Sequence, residues 1–97
     1  MGQESGSEFE THFAGKEAML KDVVLRDEAF DWILNASREE IFSNKEVYAF
    51  IKRKHPSQGT KSNWDDRCKR AVRWAVQRAR RRDLISSTDK RGEWERL

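Results

Sequence analysis

Residues 63–82 read NWDDRCKRAVRWAVQRARRR, and this stretch decides the fold. At about 100° per residue, Trp64, Cys68, Ala71, Val72, Ala75 and Ala79 fall on one face of a helix. Asn63, Asp66, Arg70, Arg73, Gln77, Arg80 and Arg81 fall around the opposite face, with Trp74 at the margin. The spacing predicts a helix from about Asn63 to Arg82, with Ser62 or Thr60 as its N-cap. Its inner face carries mainly small side chains, so neighbouring elements can approach closely. Eight basic residues ride on it: Arg67, Lys69, Arg70, Arg73, Arg78, Arg80, Arg81 and Arg82.

Upstream of it, Pro56-Ser57-Gln58-Gly59-Thr60 is turn chemistry, and Pro56 ends a preceding helix near His55. That helix starts at Asn44, because Ser43-Asn44-Lys45-Glu46 is a capping box, and it turns Val47, Phe50 and Ile51 inward. Glu39-Glu40-Ile41-Phe42 is too short for a helix and reads as a stub of strand. From about Lys21 to Ala36, Leu25, Ala29, Trp32, Ile33 and Ala36 recur at helical spacing, opposite Arg26, Asp27, Asp31 and Asn35. Residues 1–15 are polar and aperiodic and are expected to be a disordered arm. Within the arm, Gly6-Ser7-Glu8-Phe9 is what two adjoining cloning sites encode, so part of it reads as vector-derived. The folded domain is then residues 16–97.

Downstream, the period changes from helical to alternating. Leu84-Ile85-Ser86-Ser87-Thr88 reads as a strand, Asp89-Lys90-Arg91-Gly92 as a turn, and Glu93-Trp94-Glu95-Arg96-Leu97 as the returning strand. Helix, short strand, helix, turn, long basic helix and β-hairpin is the order of an α+β winged helix-turn-helix. In a helix-turn-helix the second helix of the pair enters the DNA major groove. Arginine pairs with guanine, and asparagine or glutamine with adenine. Asn63, Arg70, Arg73 and Gln77 supply that inventory on the outward face and are the candidates for reading bases. Lys52, Arg53, Lys54 and Lys61 near the turn, Arg67, Lys69, Arg80 and Arg81 on the helix, and Lys90 and Arg91 on the wing are candidates for the phosphate backbone.

Charge supports this order. The chain has 97 residues and a formal net charge of +3. Residues 1–50 carry five Lys/Arg against eleven Asp/Glu, whereas residues 51–97 carry fifteen against six, a balance of −6 and then +9. A basic half of this density suits a polyanion, and double-stranded DNA is the expected partner. The rival is a winged-helix protein–protein interaction module, docking through the acidic first helix and Trp74. RNA binding ranks third, since no single-strand stacking platform is evident. The length allows one domain. No apolar run reaches the roughly 18–20 residues of a membrane span, so no membrane partner is expected. The start has no secretory signal pattern, and a single cysteine favours a reducing compartment. An intracellular setting follows as the expectation, in cytoplasm, nucleoid or nucleus.

Catalysis has little to stand on, and neither an enzyme activity nor a cofactor is expected. His12 lies in the arm and His55 at a helix end, without ligand-spaced neighbours, so no metal site is expected. Cys68 sits in apolar periodicity and reads as a core residue. Asp65 and Asp66 fall in the first turn of the long helix, where carboxylates complement the helix dipole. Trp32 and Trp64 read as core, and Trp94 as the anchor of the wing on the long helix. Trp74 flanks Arg70, Arg73 and Gln77; packing under the wing or against a partner subunit is preferred there over contact with a base or sugar.

The segment from about Phe42 to Leu97 resembles the winged-helix DNA-reading domains of bacterial restriction endonucleases. It is similar to the C-terminal domain of the methyl-directed DpnI type and, more loosely, to the N-terminal domain of Mrr-type enzymes. The resemblance rests on Arg73 and Gln77, the Asp83-Leu84-Ile85 exit and the closing Arg91-Gly92-Glu93-Trp94-Glu95-Arg96-Leu97, a basic-Gly-x-aromatic-x-x-Leu finish. It covers a little over half the chain. It implies a domain that selects a recognition sequence, in the DpnI type one containing a methylated base. It also implies a non-catalytic specificity module of a larger restriction or regulatory protein, with an attached catalytic domain or a homodimer as its setting.

Overall fold

The computed structural model describes residues 20–97. The arm expected over residues 1–15, with His12, lies outside the described residues. Among these residues the fold is α+β: three helices against a three-stranded antiparallel sheet. Helix α1 spans Asp22–Leu34 and strand β1 Ile41–Ser43. Helix α2 spans Asn44–Lys54, a 3₁₀ turn Pro56–Gln58, and helix α3 Trp64–Arg81. Strands β2, Ile85–Ser87, and β3, Glu93–Arg96, close the chain.

Each boundary has a local cause. The capping box forms as the sequence predicts: the Ser43 hydroxyl accepts from the Glu46 N–H at 3.3 Å, and the Glu46 carboxylate accepts from the Ser43 N–H at 3.1 Å. The start of α3 differs from expectation. Neither Thr60 nor Ser62 caps it, because the N-cap is Asn63, which leaves the 3₁₀ turn in the left-handed region at φ +61°. The first turn therefore has no side-chain cap, and Asp65 and Asp66 supply its negative charge. At the far end Asp83, at φ +58°, closes a Schellman motif. The Leu84 N–H donates to the Ala79 carbonyl at 2.9 Å, and the Asp83 N–H to the Arg80 carbonyl at 3.0 Å. Helix α1 stops at Leu34, two residues before the predicted end, where Asn35 caps it and returns its side-chain amide to the Asp31 carbonyl.

The core lies where α1 and α2 meet the inner face of α3. Leu25, Ala29 and Ile33 of α1 are fully buried, as are Val47 and Ile51 of α2. Opposite them lie Cys68, Ala71, Val72, Ala75 and Ala79, so the small residues do admit the larger ones. Trp64 is buried as expected, while Trp32 is half-buried with its ring edge-on to Phe42 at 5.2 Å. Strand β3 is central, in the order β1-β3-β2, with Phe42 opposite Trp94 and Ile85 opposite Arg96. That register turns Phe42, Trp94, Arg96 and Ile85 toward the helices. Arg96 uses the position to clasp the ends of other elements, its guanidinium donating to the carbonyls of Ile33 at 3.2 Å, Leu84 at 3.2 Å and Leu34 at 3.4 Å. Among the described residues, no helix is long and apolar enough to cross a membrane.

Candidate nucleic-acid interface

A groove of about 640 Å³ runs between α3 and the β2–β3 hairpin, walled by Arg73, Gln77 and Arg80 on one side and residues 87–94 on the other. Its geometry is set by few contacts. The Trp94 indole N–H donates to the Asn44 Oδ1 at 2.8 Å, tying the hairpin to the start of α2. The Arg80 guanidinium lies over the Trp94 ring, 5.3 Å from its centre, so α3 holds the same indole from above. Trp94 thus anchors the β2–β3 hairpin and packs by α3 through Arg80, as the sequence reading expects. At the hairpin, the Thr88 hydroxyl donates to Glu93 Oε1 at 2.8 Å and accepts from the Lys90 N–H at 3.1 Å. Gly92 takes φ +76°, and its carbonyl accepts from the Asn44 N–H at 2.9 Å. Arg73 also lines a smaller hollow of about 250 Å³ with Asn44, Lys45, Tyr48, Lys69 and Val72.

The four expected base-reading residues are all exposed, but they do not share one site. Arg73 and Gln77 stand together in the groove, and Arg70 lies one turn toward the start of α3. Asn63 lines a different cleft with Gly59, Lys61, Asp65 and Asp66. Fourteen residues separate it from Gln77, about 21 Å of helix at 1.5 Å per residue. Two negative charges beside Asn63 leave the basic character of α3 to its middle and C-terminal turns.

The expected phosphate contacts sort in the same way. Lys69, Arg80, Arg81, Lys90 and Arg91 are exposed and make no ion pair among the described residues. Arg53 is exposed near the end of α2, and Lys61 is half-buried beside Asn63. Lys52 is bound to Asp65 at 2.9 Å, and the Asp65 carboxyl is held below the ordinary carboxylate range, first by that ammonium and then by the Tyr48 hydroxyl. Lys54 lies 3.9 Å from Glu28 and lines a cleft with Glu28, Asp31 and Glu40, away from the α3 groove. Arg67 is a correction. It is buried, its guanidinium donating to Asp22 Oδ1 at 2.9 Å and to the Leu20 carbonyl, so it holds the start of α1 against α3 and has no reach to a phosphate.

Of the placements expected for Trp74, packing under the hairpin is not the one observed. It packs neither under the wing nor in the groove but beside α1, with the Arg26 guanidinium 5.6 Å and the Arg78 guanidinium 5.2 Å from its ring centre. The arrangement joins residues that sequence reading missed, Arg26, Arg78 and Arg82. The signal was present in the spacing: Arg26 and Phe30 lie four apart on α1, and Trp74 and Arg78 four apart on α3. His55 has a partner no local reading finds, Glu28 Oε1 at 2.6 Å, which pins the end of α2 to α1. Cys68 is fully buried, and burial pushes its thiol up to about 11. Among the described residues, no group of three or more His, Cys, Asp or Glu is placed to hold a metal ion. No known protein family, curated protein or solved structure matches the chain.

Proposed function

We propose that the chain is a duplex-DNA-binding module of the winged-helix kind, with α3 in the major groove and the β2–β3 hairpin on the flanking backbone. One observation carries the reading. Arg73, Gln77 and Arg80 face Lys90 and Arg91 across an open groove, and none of the four cations is neutralised by a carboxylate among the described residues. The element order and the β1-β3-β2 pairing are compatible with a winged-helix layout. A helix of about 10–12 Å diameter suits a major groove about 12 Å wide. Arg73 and Gln77, one turn apart and exposed, match guanine and adenine edges, and each good bidentate pair discriminates by about 1–3 kcal/mol. The protein-docking alternative calls for an apolar patch at Trp74, whereas two guanidinium groups lie 5.6 and 5.2 Å from the centre of that half-buried ring.

The test is fluorescence anisotropy of labelled duplexes between 50 and 200 mM salt. Contact with about six phosphates gives a slope of log K against log[salt] near −5, and roughly a thousandfold loss of affinity over that range. Affinity independent of salt, or no binding at 50 mM, overturns the proposal.

A further inference from the structure

On the side of α3 away from the hairpin, α1 and α3 interleave three guanidinium groups with two rings. The order is Arg26, Trp74, Arg78, Phe30, Arg82, with centre distances of 5.6, 5.2, 5.2 and 5.5 Å between successive members. Phe30 is buried, Trp74, Arg26 and Arg78 are half-buried, and Arg82 is exposed. Helix α1 offers Asp22, Asp27, Glu28 and Asp31, yet none of the three arginines takes a carboxylate partner among the described residues. Asp22 is committed to Arg67, and Glu28 to His55 and Lys54. Three cations on one strip thus make no ion pair among the described residues.

Cation–π attraction matters for what this strip can bind. A guanidinium held within about 6 Å of a ring centre is already partly ordered, so less rotamer freedom is lost when it grips an anion. A guanidinium edge matches the oxygens of a phosphate. The strip also has the right position. A helix seated in a major groove is flanked by two phosphate backbones, and the hairpin reaches only one of them. Trp74 and Arg78 lie toward α1 and the groove residues Arg73 and Arg80 toward the hairpin, so the two sides of α3 face opposite flanks.

We propose that the Arg26–Trp74–Arg78–Phe30–Arg82 stack is a second phosphate ledge, which grips the DNA backbone on the flank opposite the hairpin. The ledge rests on the DNA-binding reading and adds to it the contact that fixes the tilt of α3. Arg78, wedged between two rings, is left in place for the test, and the outer members are changed to Arg26→Gln and Arg82→Gln. Each variant is expected to flatten the salt slope by about 0.9 and weaken binding roughly eightfold at 0.1 M salt, with the double variant losing about 1.8 in slope. Preference among duplex sequences stays as in the parent chain, because phosphate contacts carry no base information. If the parent chain binds DNA and the variants keep its slope, the ledge is wrong and the main reading stands. A lowered melting temperature with an unchanged slope makes the stack purely structural and equally overturns it. If the parent chain fails to bind duplex DNA and instead binds an acidic peptide such as polyglutamate, both readings fall.

Discussion

Replacing Arg96 by methionine removes a positive charge from the basic half, yet it is expected to damage the fold and leave DNA binding alone. Arg96 points inward from β3, and its guanidinium donates to the carbonyls of Ile33, Leu34 and Leu84 at 3.2, 3.4 and 3.2 Å, and to that of Leu97 at 3.0 Å. Two of these oxygens end α1, where a cation also complements the helix dipole for about 0.3–1 kcal/mol. A hydrogen bond from a charged donor contributes about 1.5–3 kcal/mol in favourable geometry. These are long, the residue is half-buried, and two acceptors keep other donors: Ile33 has the Ala36 N–H and Leu84 the Leu97 N–H. No carbonyl of that pair is orphaned by the change, so the loss stays near the lower bound, about 2–3 kcal/mol in all. For a domain of 60–100 residues that corresponds to roughly 10–20 °C in Tm. Urea unfolding followed by tryptophan fluorescence measures it, with the midpoint lowered and the m-value kept. The charge-matched control is Arg73→Met, expected within about 0.5 kcal/mol of the parent in stability, as for an exposed unpaired site. An Arg96→Met loss below about 0.5 kcal/mol, or a flattened salt slope in that variant, refutes the division of the arginines into structural and DNA-facing sets.

Three further outcomes follow from named contacts. Arg73→Ala and Gln77→Ala are expected to narrow the affinity gap between preferred and scrambled duplexes by about 1–3 kcal/mol each, whereas Lys90→Ala weakens all duplexes alike; competition titrations distinguish them. Asp83→Gly relieves a left-handed residue and removes a carboxylate at a helix C-terminus, so urea unfolding should show a gain of about 0.5–1 kcal/mol. Cys68 should resist thiol reagents until the chain unfolds. Its folded pKa, about 11, exceeds the unfolded value near 8.5, so the native state holds the proton longer. This contribution is full below about pH 8.5 and is lost as the pH rises toward 11, a loss that Cys68→Ala should remove from the alkaline arm of the stability profile.

Much of the fold was legible because its signals are local. Ser43 and Glu46 mark the start of α2 within four residues, Pro56 marks its end, and the change of period after Asp83 marks the hairpin. What stayed hidden depends on partners far away in sequence. On the helical wheel Arg67 lies near Trp64 and Ala71, on the inner side, but its charge argued for the surface. Its burial needs Asp22, forty-five residues upstream, to accept the hydrogen bond. Lys54 and His55 look like loose basic residues until α1 brings Glu28 against them. The acidic first half thus has a structural use: Asp22 pairs with Arg67 and Glu28 with Lys54 and His55, and the arginines facing outward from α3 make no ion pair among the described residues. Net charge counts both kinds of arginine alike, which is why +9 indicated a polyanion partner without showing which residues meet it.

The most direct test is amide chemical-shift mapping of the ¹⁵N-labelled chain titrated with a duplex. Shifts concentrated on residues 70–81 of α3 and 87–92 of the hairpin are predicted, with Glu28, Asp31 and Trp32 unmoved. Shifts centred on that acidic cleft, or none at low salt, would contradict the assignment of α3 and the hairpin as a DNA-binding face.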